Sequence, residues 1–429
     1  MADRNHGGEV RARTQAALPR RGNDNSGGLT AGMDVRMNTV IADMTEGIDE
    51  AMMHRAGEIL RDGGLVAFPT ETVYGLGADA MDAEASKKIY AAKGRPSDNP
   101  LIVHIARMED LPACAAYIPE SARKLAAAYW PGPLTMIFRK SERVPLSTTG
   151  GLTTVAVRMP SHPVAQRLIL EGGGFIAAPS ANTSGRPSPS TAAHVRDDLD
   201  GKIDMIIDGG PVDIGIESTI VDLTEDVPMV LRPGYISLEM LRQTLGEVRM
   251  DPGLGSADPS FRPKAPGMKY RHYAPRADMT IVEGDEERAR EMIRALAAKA
   301  CAEGKKVGIL ACEESAGTYP DGIVRAAGSR QDEVTIAAGL YAVLREFDDL
   351  GVDIIYSEAF DTPRIGQAVM NRLVKAAGRQ ILYADGPSDG ASDGRQAGDA
   401  DGASGPRQSG HADAVPGGAS GRGESSETL

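Results

Sequence analysis

The sequence predicts an α/β protein of two domains, a larger one built on a twisted mixed sheet with flanking helices and a smaller one built on a parallel sheet. Three observations carry this expectation. Residues 38–250 alternate short β-rich runs with amphipathic helical ones. Residues 279–384 repeat the alternation in strand–helix–strand order, which favours parallel, doubly wound strands. Between them, residues 251–278 are dense in proline (Pro259, Pro263, Pro266, Pro275), as in an extended linker.

In the first domain the runs 65–68, 101–105, 134–138, 155–157, 175–177, 205–207 and 219–221 are apolar, bounded by turn residues, and read as strands. Helices are expected at 48–61, at 83–93 after the cap Asp82, at 120–129, at 162–171 between Ser161 and Gly172, and at 238–245 between Ser237 and Gly246. In the second domain, strands at 279–282, 307–310 and 353–356 alternate with helices at 286–302, 332–346 and 366–377. Residues 1–37 and 385–429 carry too little periodic apolar surface to offset ordering entropy and are expected to be disordered.

Composition narrows the function. The net charge of −13, of which the segment from Ala384 onward holds −5, argues against coating nucleic acid by bulk electrostatics, although a local basic pocket is compatible with it. No apolar run is long enough for a membrane helix and no apolar signal core opens the chain, so a cytoplasmic protein is expected. Cys114, Cys301 and Cys312 have neither disulfide nor zinc spacing and read as buried thiols; the seven histidines show no metal spacing.

The chemistry-bearing residues cluster at element ends. Gly94 and Pro96 stop helix 83–93, so Lys93 and Arg95 should project from a rigid terminus as an anion-binding pair. Ser180 and Asn182 follow strand 175–178, where hydroxyls and amides can meet ligand oxygens. Arg158 and Arg232 end two further apolar runs, making four cations suited to holding two anionic reactants. Taken singly, each is more readily a helix-end, loop or surface salt-bridge residue than a ligand contact. The stretch Gly75-Leu76-Gly77-Ala78-Asp79-Ala80 loosely matches a dinucleotide turn but lacks the strand-to-glycine context and the acidic ribose partner, and there is no P-loop.

Taken together and in order, Phe68-Pro69-Thr70-Glu71-Thr72-Val73-Tyr74-Gly75-Leu76, Lys93-Gly94-Arg95-Pro96, Trp130-Pro131-Gly132-Pro133-Leu134-Thr135, Val157-Arg158-Met159-Pro160, Pro179-Ser180-Ala181-Asn182, Glu217-Ser218-Thr219-Ile220 and Arg232-Pro233-Gly234 resemble the YrdC-type threonylcarbamoyl-AMP synthases. His272-Tyr273-Ala274-Pro275 and the region through Asn371-Arg372-Leu373 are similar to the linker and Rossmann-like second domain of the longer form. The resemblance implies an enzyme that converts L-threonine, bicarbonate and ATP, with Mg2+, to L-threonylcarbamoyladenylate, whose product goes to a tRNA threonylcarbamoyl transferase complex. It implies that Lys93, Arg95, Ser180 and Asn182 surround the phosphates, that Asn99, Thr154, Ser188, Arg232 and Tyr273 also serve ATP, and that Thr72, His104, Arg158, Ala178 (through its backbone) and Ser218 hold threonine or its carbamate. A lid formed by the linker with Tyr270 and Tyr273 is a further expectation. Two other functions share the fold. An RNA-binding module with weak tRNA contact is disfavoured by the charge and the scarcity of aromatics, and a hydrogenase-maturation carbamoyltransferase by the lack of upstream cysteine-rich zinc fingers.

Overall fold

The computed structural model describes residues 38–255 and 272–385. The ends expected to be disordered, Asp385 apart, and the linker expectation for 256–271 including Tyr270, lie outside the described residues.

The large sheet holds β1 (Val40–Asp43), β2 (Val66–Phe68), β3 (Gly75–Asp79), β4 (Ile102–His104), β5 (Leu134–Arg139), β6 (Thr154–Arg158), β7 (Ile176–Ala178), β8 (Met205–Asp208), β9 (Thr219–Asp222), β10 (Met229–Arg232) and β11 (Arg249–Met250). Their order is β1-β8-β2-β3-β7-β4-β6-β5-β9-β10-β11, with parallel and antiparallel neighbours mixed. Helices α1 (Glu50–Arg61), α2 (Ala83–Lys93), α3 (Leu111–Cys114), α4 (Glu120–Tyr129), α5 (Pro163–Glu171), α6 (Ala192–Leu199) and α7 (Leu238–Leu245) cover it.

Strand periodicity of two divides the core. Val66 and Phe68 of β2 and Ile207 of β8 join Met53, Leu60, Val164 and Leu168 under α1 and α5. Ala67 and Ile206, one residue out of phase, join Ile89, Leu125, Val157 and Leu241 on the other face.

The second sheet is parallel throughout, in the order β14-β13-β15-β12-β16. It comprises β12 (Asp278–Glu283), β13 (Val307–Ala311), β14 (Ile323–Ala326), β15 (Ile354–Glu358) and β16 (Ile381–Tyr383), with α8 (Glu286–Ala302), α9 (Glu313–Ala316), α10 (Glu333–Leu350) and α11 (Gly366–Ala376). Its apolar core is continuous with the first domain, because Val73, Ile214 and Ile216 pack in one cluster with Leu340, Tyr341 and Leu344 of α10.

The structure departs from the sequence reading at identifiable places. Helix α5 starts at Pro163 with His162 at its N-cap and no side-chain cap bond, so Ser161 does not cap it. Helix α10 runs four residues past the expected end, to an αL cap at Gly351. Cys114 and Cys312 are buried but Cys301 is only half-buried. The glycine-rich stretch after Tyr74, rejected above as a dinucleotide turn and not read as a strand, is strand β3, antiparallel to β2 and β7.

Candidate active site

The cleft forms where strand ends and loops meet. Register places His104 of β4 beside Arg158 of β6, and Arg158 opposite Thr135 of β5. Parallel pairing of β5 with β9 then brings in Ser218, the residue before Thr219, whose hydroxyl pairs with that of Thr135 at 2.8 Å. Across β4, antiparallel β7 supplies Ala178, and Pro179 and Ser180 follow it into the wall.

The loop before β3 is folded by its own hydroxyls. Thr70 Oγ1 donates to the Val73 carbonyl at 2.7 Å and accepts from the Thr72 and Val73 amides at 3.2 and 3.3 Å, so Thr70 and Thr72 are buried yet face the cleft. Glu71, on the same loop, forms an ion pair with Arg158 at 2.8 Å, and both residues are buried.

Among the described residues, three guanidiniums line the cleft: Arg95, Arg158 and Arg232. Arg95 leaves the αL cap Gly94 (φ 63°) and donates to the carbonyls of Asn99 (3.2 Å) and Pro100 (3.0 Å). Burial lowers its pKa to about 10, so it stays charged at neutral pH. Arg232, at the end of β10, donates to the carbonyl (3.0 Å) and hydroxyl (3.1 Å) of Ser218, and burial likewise lowers its pKa.

His104 is held neutral, its pKa lowered to about 3 by burial and then by the Arg158 charge; its Nδ1 lies 3.1 Å from the Ile102 carbonyl. Glu217 behaves oppositely. Burial works against its charge, but Arg372 and Arg232, with the Ser188 hydroxyl at 2.5 Å, outweigh it and hold the carboxyl at about 2.

The Ser180–Asn182 turn is stapled in place. The Ala181 amide donates to the Tyr74 carbonyl at 2.8 Å, and the Ser184 amide to the Lys93 carbonyl at 2.9 Å. Ser180 Oγ donates to Asn182 Oδ1 at 2.5 Å. Lys93 does not project as its helix-end position suggested: it is buried, with Nζ on the Ser180 carbonyl at 2.5 Å and on the Asn182 carbonyl. Burial, then the neighbouring Arg95, lowers its pKa well below the usual lysine value.

Of the residues singled out from sequence, the cleft wall collects Thr72, Arg95, His104, Arg158, Ala178, Ser180, Ser218, Arg232 and Tyr273. Lys93, Asn182 and Ser188 lie behind that wall, bonded to Ser180 or Glu217. Asn99 is buried against Arg95, and its side-chain oxygen has no hydrogen-bond partner among the described residues. Thr154 begins β6, four residues from Arg158, and does not line the cleft. Sequence reasoning did not assign Thr70, Glu217 or His272, which line it too. Tyr273 adopts φ 63°, an uncommon conformation for a tyrosine, and its ring stacks on Tyr341 at 5.3 Å.

Among the described residues no group of three or more His, Cys, Asp or Glu could hold a metal ion, and the cleft carboxylates Glu71 and Glu217 are committed to arginines. These residues do not build a protein site for Mg2+. No described helix is long and apolar enough to cross a membrane.

A mixed sheet whose strand ends gather buried arginines, hydroxyls and a neutral histidine around one cleft defines an anion-handling α/β enzyme of the YrdC-like class. A Sua5/YciO/YrdC family model described as "Telomere recombination" matches residues 58–234, and one described as the threonylcarbamoyl-AMP synthase C-terminal domain matches 236–378. The chain belongs to the threonylcarbamoyl-AMP synthase family. It is 51% identical over 346 residues to the threonylcarbamoyl-AMP synthase of Pyrococcus abyssi (80% of this chain, 99% of the relative). It is 48% identical over 335 residues to that of Bacillus subtilis (78% and 95%). The crystal structure of Pyrococcus abyssi Sua5 complexed with L-threonine is similar with a TM-score of 0.77 and 50% identity, covering 80% of this chain and 99% of that one.

Proposed function

We propose that the protein condenses L-threonine, bicarbonate and ATP to L-threonylcarbamoyladenylate, releasing pyrophosphate and water. The observation that carries this reading is the convergence of Arg95, Arg158 and Arg232 on one cleft also lined by Thr72 and Ser218 hydroxyls. It is supported by the relatives' activity and by the L-threonine in the Pyrococcus structure.

The chemistry suits these side chains. The threonine ammonium gives up a proton to solvent, and the free amine and bicarbonate then form a carbamate with loss of water. A carbamate oxygen then forms a bond to the α-phosphorus while the bond to the pyrophosphate oxygen breaks. The carbamate is already an anion, so no general base is required, and a His104 kept neutral is not asked to be one. What the step requires is that two anions be brought together, which fixed guanidiniums accomplish by positioning and charge neutralisation. In this reading Arg158, Thr72, His104, Ser218 and the Ala178 backbone hold threonine or its carbamate. Arg95, Arg232, Ser180 and Tyr273 face the nucleotide, while Lys93, Asn182, Asn99 and Ser188 support them from behind; Thr154 would need the nucleotide to extend along β6. Mg2+ accompanies ATP as part of the substrate. The product serves modification of the adenosine next to the anticodon by a tRNA threonylcarbamoyl transferase complex.

The test is incubation of the purified chain with ATP, Mg2+, bicarbonate and L-threonine, followed by mass spectrometry. Threonylcarbamoyladenylate and pyrophosphate that depend on every substrate are expected; nucleotide binding without product overturns the reading.

A further inference from the structure

We propose that Arg372, on α11 of the C-terminal domain, is a positioning residue for the cleft: it sets the placement of Ser218 and Arg232 by holding the backbone on either side of them. The proposal rests on the synthase reading for its kinetic assay but on geometry for its substance. Arg372 is fully buried. Its Nε donates to Glu217 Oε2 at 3.1 Å and its Nη2 to the Glu217 carbonyl at 3.0 Å. Its Nη1 donates to the Pro233 carbonyl and, at 3.3 Å, to Ala368 on its own helix.

Glu217 immediately precedes Ser218, and Pro233 immediately follows Arg232. Those two residues are themselves bonded to each other through the Ser218 carbonyl and hydroxyl. One guanidinium from the second domain therefore ties together the two segments that present this pair to the cleft, while Arg372 itself is absent from the lining. Tyr341 of α10 reinforces the arrangement, its hydroxyl donating to Glu217 at 3.0 Å.

Arginine suits this task because its planar fork serves a carboxylate and three carbonyls in fixed directions, which a lysine ammonium cannot do at once. A buried ion pair contributes little net stability by itself, so a geometric role is the better account of a wholly buried arginine here.

The experiment uses the full-length protein, its Arg372→Met variant and its Arg372→Lys variant. It measures KM for L-threonine and for ATP, kcat, L-threonine affinity by calorimetry, and the folded fraction by thermal melting. Arg372→Met is expected to raise both KM values about tenfold or more and to weaken calorimetric L-threonine binding similarly, as for site groups displaced from their hydrogen bonds. Arg372→Lys should recover part of the loss. KM and affinity within about twofold of the parent, with kcat falling only in step with the folded fraction, would overturn the proposal, because that is the signature of a purely structural residue. Should Arg372→Met fail to fold, Arg372→Lys carries the same two outcomes. A parent protein that binds L-threonine but makes no adenylate defeats the synthase reading alone, since the calorimetric comparison still decides the positioning role.

Discussion

The buried pair Arg158–Glu71 separates what a cleft arginine does for the fold from what it does for a ligand. At 2.8 Å, with side chains 5% and 7% exposed, the two charges are each other's compensation; among the described residues neither Glu71 oxygen has another hydrogen-bond partner. Replacing Arg158 by Met strands a carboxylate in the interior, which costs about 3–5 kcal/mol. Replacing both, as Arg158→Met with Glu71→Met, removes the stranded charge and preserves volume, and should return stability to within about 1 kcal/mol of the parent. Urea unfolding monitored by circular dichroism supplies the stabilities, and mass-spectrometric detection of the adenylate supplies the activity. The single variant should be destabilised and inactive, the double variant stable and still inactive. If the double variant regained synthesis along with stability, Arg158 would be a structural residue and its place in the binding machinery would be refuted.

Three other outcomes follow from the geometry. Arg95→Ala should abolish adenylate formation and lower stability by about 1–3 kcal/mol for each buried carbonyl it abandons, those of Asn99 and Pro100, as read from activity and urea midpoints. A Cβ on Gly234 would lie 2.5 Å from the Thr219 amide nitrogen and 2.9 Å from the Glu217 carbonyl oxygen, so Gly234→Ala should cost about 1–3 kcal/mol and weaken L-threonine binding, measured by melting and calorimetry. Burial lowers His104 and His272 to about 3 and His194 to about 4, against an unfolded value near 6.5. The unfolded chain therefore binds the extra protons, and stability present above about pH 6.5 is lost as pH falls, by up to about 1.4 kcal/mol per unit for each fully shielded imidazole. Glu217, held at about 2, adds its own loss only below about pH 4.5. Urea midpoints at pH 7, 6 and 5 should fall accordingly, with a shallower slope in His104→Gln; an unchanged slope in that variant refutes the assignment.

Where local chemistry determines an element, the sequence was readable. Helix α2 begins where the Asp82 carboxylate accepts from the Glu84 amide and ends at αL Gly94, and α7 begins where Ser237 accepts from Met240, as their cap residues indicated. Strand β3 escaped because Gly75 and Gly77 have no strand propensity; they are there because Phe68 and Ile176 press against them, with Cβ clearances of 3.2 Å or less. Edge strand β14 is half-buried and short, and too weakly patterned to declare itself. The cleft cations could be named from motif positions, but the direction of Lys93 could not. A helix terminus fixes the start of a side chain, and only the folded Ser180–Asn182 turn shows that its ammonium is spent on carbonyls. Glu217 and Arg372 lie 155 residues apart, and no local pattern announces their pairing.

The shared apolar cluster has a consequence for synthesis on the ribosome. When the first 250 residues have emerged, Val73, Ile214 and Ile216 have no covering partner, because Leu340, Tyr341 and Leu344 are still to be translated. The nascent sheet can fold ahead of the rest, as N-terminal domains generally do, but it does so with an open greasy flank beside the very loop that carries Thr70 and Thr72. A message truncated between residues 250 and 340 would therefore release a sticky, unfinished product rather than a smaller working one.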